Sequence, residues 1–157
     1  MKKINFLVKL KKENKLELVE PSEEIKESYI KKSESSLASS KILIDNEKLE
    51  ESVALSYYSM YHMLTALLFK AGIRCENHAG TIILMKHLFN LDNSDISSAK
   101  SERVDKQYYI DFHITKQEVE DAIKNAEDFN NRLFDFISKL NNRDIETYRK
   151  KFLGLVG

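Results

Sequence analysis

From residue 119 to residue 140 the apolar positions Val119, Ala122, Ala126, Phe129, Leu133, Phe136 and Leu140 recur at alternating spacings of three and four. A strand turns its side chains over every two residues, so this rhythm excludes a strand and specifies one long amphipathic helix. A stripe that long must lie against other helices along its whole length, which commits the chain to a helical bundle. The start of the helix is also written in the sequence. Thr115 and Glu118 match the S/T-x-x-E capping box, in which the first side chain receives an orphan backbone N–H of the opening turn.

The remainder of the chain reads the same way. One proline and four glycines in 157 residues leave little material for turns. Pro21 followed by Ser22, Glu23 and Glu24 opens a helix expected over about 22–44, with acidic groups at the positive end of its dipole. Tyr29, Ser33, Ser36, Leu37, Ser40 and Ile44 share one face, and the small serines let a neighbour approach closely. A second helix is expected over 49–71, apolar almost all round and therefore central; Gly72 ends it, because a left-handed C-cap costs glycine least. Further helices are expected over 77–89, more weakly over 94–109, and near each terminus over 1–12 and 144–152. The stretch 53–69 lacks Asp, Glu, Lys and Arg, but it is too short for a bilayer and carries Ser56, Ser59, His62 and Thr65, so a buried helix is expected and no membrane span. The basic start of the chain has too short an apolar core for a signal peptide.

Twenty-five basic and 25 acidic side chains balance, so any nucleic-acid role needs a local basic patch and not a global field. Cys75 stands alone, which rules out an intrachain disulfide and points to a reducing, cytoplasmic setting. It lies in GIRCENHAG, residues 72–80, with Arg74 and His78. A zinc site there lacks its remaining ligands, since no CxxC or HExxH completes it. A cysteine nucleophile would need a sheltered pocket that a turn does not supply. His78 is read as capping or packing near the turn. His62 is read as a core histidine with a hydrogen-bonded partner, and Tyr57, Tyr58 and Tyr61 as core residues whose hydroxyls reach the surface. Arg143, Arg149, Lys150 and Lys151 read as a solvated last turn.

The run SYYSMYHMLTALLFKAGIRCENHAGTI, with SERVDKQYY and the later AEDF at 126–129, resembles a small stand-alone prokaryotic subgroup of HEPN-domain proteins, relatives of the toxins of HEPN–nucleotidyltransferase pairs. The resemblance covers about residues 21–140. It implies an all-α, up-and-down bundle of four to five helices with short N- and C-terminal helices, a single domain over 1–157 with its core over about 22–140, and a homodimer. Many members of the family are metal-independent ribonucleases; others bind nucleotides or partners without catalysis. The active members carry an arginine followed, a short way on, by a histidine ahead of the last long helix.

Cleavage of RNA through its own 2′-hydroxyl needs one proton removed and another delivered, which histidine does near neutral pH. The arginine fork stabilises charge on the phosphoryl oxygens. Arg74 and His78 stand too close together and ahead of the wrong helix. Arg103 fits the arginine, while Gln107 stands where active relatives carry histidine, and Tyr108 and Tyr109 follow. Glutamine carries no useful proton. His113 is the next proton carrier along the chain. The expectation is therefore a protein that binds RNA or nucleotide through Arg103, Gln107, Tyr108 and Tyr109, or cleaves RNA weakly with Arg103 and His113. No metal or other cofactor is expected. The alternative is a non-catalytic module docking a partner such as a small nucleotidyltransferase antitoxin.

Overall fold

The computed structural model describes the backbone of residues 1–107 and 113–157 and the side chains of residues 1–102 and 113–157. Its elements run α1 (Lys2–Lys12), β1 (Leu16–Leu18), α2 (Glu23–Asp45), α3 (Leu49–Ala71), β2 (Ile73–Cys75), α4 (His78–His87), α5 (Ser94–Gln107), α6 (Lys116–Lys139) and α7 (Asn142–Val156). The all-α bundle expected from the sequence is the fold observed. α2 opens on Ser22, whose side chain accepts from the Ile25 N–H. At α6 the Thr115 hydroxyl accepts from the Glu118 N–H at 3.1 Å, and the Glu118 carboxylate closes back onto that hydroxyl at 3.2 Å, not onto the backbone. α7 is longer than expected because Asn141, not Asp144, caps it: Asn141 and Asp144 complete a reciprocal capping box.

α2 and α3 form an antiparallel pair held by buried serines. The Ser33 hydroxyl donates to the Ser59 carbonyl at 2.7 Å and the Ser52 hydroxyl to the Ser40 carbonyl at 2.6 Å. Each hydroxyl satisfies itself on the neighbouring backbone, so the helices approach without stranding a polar group. α6 lies across both, burying Val119, Ile123, Ala126, Phe129, Leu133 and Ile137. α1 docks against α4 and α7, with Leu7 and Leu10 in the core. No helix of the described residues is long and apolar enough to cross a membrane.

The two short strands were not expected. Leu16, Glu17 and Leu18 pair antiparallel with Cys75, Arg74 and Ile73. The segment after α1 and the segment after Gly72 are thus one ribbon, and only their meeting in space makes either a strand. Gly72 adopts φ +74° as expected of the α3 C-cap. It has a further reason to be glycine, because a Cβ there would collide with the Arg149 guanidinium and the Val19 carbonyl.

Arg149 alone departs from the solvated basic turn expected of Arg143, Arg149, Lys150 and Lys151, of which the other three are exposed. Its Nη1 donates to the carbonyls of Val19 (2.8 Å), Ala71 (3.1 Å) and Gly72 (2.8 Å). A helix end leaves carbonyls without partners, and here a cation from the last helix supplies one for the end of α3. One half-buried side chain therefore ties α7, the end of α3 and the N-terminal ribbon together.

Candidate functional site

GIRCENHAG is the junction of β2 with α4. Arg74 pairs with Glu17 at 3.0 Å and with Glu76, and also donates to the Asn14 carbonyl at 2.9 Å. It is a clamp across the ribbon. Burial pushes the Cys75 thiol up from its ordinary range, the opposite of what a nucleophile needs. Its Sγ lies 3.4 Å from the Asn77 carbonyl. Among the described residues no group of three or more His, Cys, Asp or Glu side chains is placed to hold a metal ion.

His78 opens α4 and belongs to an aromatic cluster on α3. Its Nδ1 is 2.9 Å from the Tyr57 hydroxyl, and its ring stacks on Tyr61 with centroids 3.8 Å apart and planes at 14°. Tyr58 meets it edge-on at 6.4 Å. Tyr57 is wholly buried, so its hydroxyl reaches an imidazole and not the surface. Nothing in the local pattern joins positions 57 and 78, because the turn between α3 and α4 alone decides which ring each meets.

His62 also departs from expectation. Its Nδ1 is buried with no hydrogen-bond partner among the described residues. Tyr29, Tyr58 and Tyr61 surround the ring at 5.9–6.3 Å. Burial, and then the charge of Lys32, holds the imidazole below the ordinary histidine range and keeps it neutral.

Of the residues expected to form a ligand site, the Arg103 and Gln107 side chains, Tyr108 and Tyr109 lie outside the described residues. His113 is described: it is exposed on the run ahead of α6 and lines a shallow recess of about 380 Å³ with Glu47, Lys48, Glu50 and Glu51. None of Tyr57, His62 and His78 lines that recess. α5 and α6 flank a separate groove of about 350 Å³ over α3, with Asp95, Glu102, Glu118 and Asp121 on its walls and Met60 and Ser56 beneath. The Arg132 guanidinium reaches Asp95 at 2.8 Å.

A family model described as the HEPN domain matches residues 26–139. The chain belongs to the HEPN family. The match takes in α2 through α6, so the α2–α3 pair, the aromatic cluster and the long capped helix all fall within the HEPN unit, while α1, the first strand and α7 lie outside it. Among curated relatives, this HEPN protein is 43% identical to a UPF0332 protein of Pyrococcus horikoshii over 56 residues, which is 36% of this chain and 39% of that one. It is 30% identical over 114 residues to the Methanocaldococcus jannaschii protein named "Putative toxin MJ0605", which is 68% of this chain and 84% of the relative.

Proposed function

We propose that this HEPN protein is the toxin-type member of a two-component system and acts on RNA without a metal. The observation that carries the reading is the likeness to the toxin-named relative along most of that relative's length. Arg103 would hold a phosphoryl group with its guanidinium fork, with Gln107, Tyr108 and Tyr109 offering hydrogen bonds and ring faces to the RNA. In the cleaving version the 2′-hydroxyl loses its proton, its oxygen attacks the adjacent phosphorus, and the 5′-oxygen leaves with a proton. His113 is the imidazole assigned to that proton traffic, because Gln107 cannot serve. A homodimer in the cytoplasm, bound by a small nucleotidyltransferase as antitoxin, completes the proposal.

The second reading is a non-catalytic module that docks that same partner, and Gln107 in the histidine position favours it. Purified protein and its Arg103→Ala variant, incubated with mixed-sequence single-stranded RNA in EDTA, separate the two. Cleavage by wild type that Arg103→Ala lacks supports the ribonuclease. Equal cleavage by both, with both folded, sinks the assignment of Arg103. No cleavage by either supports the docking module.

A further inference from the structure

Two sides of α2 are occupied. Ile30, Ser33, Ser40 and Ile44 are buried in the bundle, and Lys41 reaches across to Glu127 of α6 at 2.9 Å. The remaining side faces outward and carries a regular stripe. Lys31, Glu34, Ala38, Lys41 and Asp45 recur at spacings of three and four, and all are exposed. That period is the seven-residue repeat that keeps one helix against another over several turns.

The order of signs along the stripe carries the argument. From Lys31 to Asp45 it runs positive, negative, small, positive, negative. Turned end over end about Ala38, the same stripe sets Asp45 against Lys31 and Lys41 against Glu34. A second copy of α2 laid antiparallel on the first therefore meets opposite charge at every charged position, on both sides of the two-fold axis. A parallel arrangement, or a palindromic order of signs, would set like against like. Ala38 stands at the centre, where a long side chain would hold the two helices apart. The surface on either flank is apolar. Ile42 is 63% exposed on one side. On the other, a recess of about 390 Å³ opens between α2 and α6, lined by Leu37, Met63 and the half-exposed Phe134, with Glu34 and Lys41 also in its lining. An antiparallel helix seated over Ala38 borders both flanks and takes their apolar surface from water.

We propose that the outward face of α2 is the homodimer interface, with Lys31 opposite Asp45 and Glu34 opposite Lys41 of the second copy. This inference deepens the homodimer reading, on which it rests, by naming the face and its two-fold arrangement. The occupant is a second copy because the stripe is complementary to its own reverse, an order that an unrelated partner does not require. The charge pairs are exposed to solvent, so they choose register and orientation while the apolar flanks supply most of the affinity.

The test is sedimentation equilibrium of the whole chain without RNA, over concentrations up to roughly 1 mM. Lys31 and Asp45 are the positions to exchange, since neither takes part in the Lys41–Glu127 bridge nor lines the recess. Lys31→Glu and Asp45→Lys each set like charges together at both ends of the contact and should raise the dissociation constant about tenfold. The double variant Lys31→Glu/Asp45→Lys rebuilds both pairs in reverse and should return to within about twofold of wild type. Added salt should shrink the single-variant penalties, and unchanged circular dichroism confirms folding. A dimer indifferent to both single variants would overturn this face and leave the homodimer standing on another. Single variants that dissociate without recovery in the double variant would overturn the two-fold pairing and pass the face to a different partner. A wild type that stays monomeric throughout overturns the inference and the homodimer together.

Discussion

Removing the Arg149 guanidinium should cost this fold more than any other single surface charge described. Its Nη1 serves three carbonyls, two of them at the end of α3, and the cation faces the negative end of that helix. The Gly72 carbonyl already accepts from the Val19 N–H at 2.8 Å, so it keeps one partner without the arginine. The Val19 and Ala71 carbonyls lose a charge-assisted bond, each worth about 1.5–3 kcal/mol where it is made. Because the site is half-buried, water recovers part of that loss, and the net cost of Arg149→Ala is about 2–4 kcal/mol. For a chain of this length that is a drop of about 4–16 °C in Tm. Arg149→Met separates the causes: it keeps most of the apolar stem and loses only the donors, so it should retain most of the destabilisation. Urea unfolding followed by circular dichroism measures both, urea being preferred because guanidinium salt screens the charge under study. Variants within about 0.5 kcal/mol of wild type would refute the capping argument and return Arg149 to the solvated turn that its sequence suggested.

Two other perturbations test the interior. Asn130 donates its Nδ2 to the Ser59 hydroxyl at 3.2 Å, and that hydroxyl donates onward to the Ser56 carbonyl, so the amide cannot be turned round and Oδ1 stays buried without a partner among the described residues. Asn130→Leu trades one weak bond for relief of that carbonyl and should leave the urea midpoint within about 1 kcal/mol of wild type; a loss above ~2 kcal/mol would show that the amide is satisfied. His62 is held neutral in the folded protein, so the unfolded chain takes up its proton first as pH falls. Stability should decline below about pH 6.5 until the folded imidazole also titrates. His62→Phe should flatten this decline between pH 7 and 5, with His87, also lowered, keeping a remainder. An unchanged slope in the variant would exclude His62 as its source.

The main helices were legible because their signals are local. The capping residues Ser22 and Thr115, the Gly72 stop and the run from Val119 to Leu140 each act within a few turns of chain, and α3 was bounded at residues 49 and 71 as expected. The serines on α2 were readable as a close-packing face for the same reason, since helical period alone puts them on one side. The candidate site was less legible: Tyr108, Tyr109 and the side chains of Arg103 and Gln107, expected to form it, lie outside the described residues, and in GIRCENHAG the cysteine meets the neighbouring Asn77 carbonyl while the arginine and the histidine each meet partners from elsewhere.

Those partners are what only the tertiary structure decided. Glu17 claims Arg74, Tyr57 claims His78, and Arg149 crosses to carbonyls more than 70 residues away. Helix propensity and capping are free energies of neighbouring residues, and a sequence states its neighbours. A hydrogen bond or a shared field between distant side chains exists only after burial of the apolar faces has fixed which helix lies beside which, and that choice belongs to the packed core as a whole.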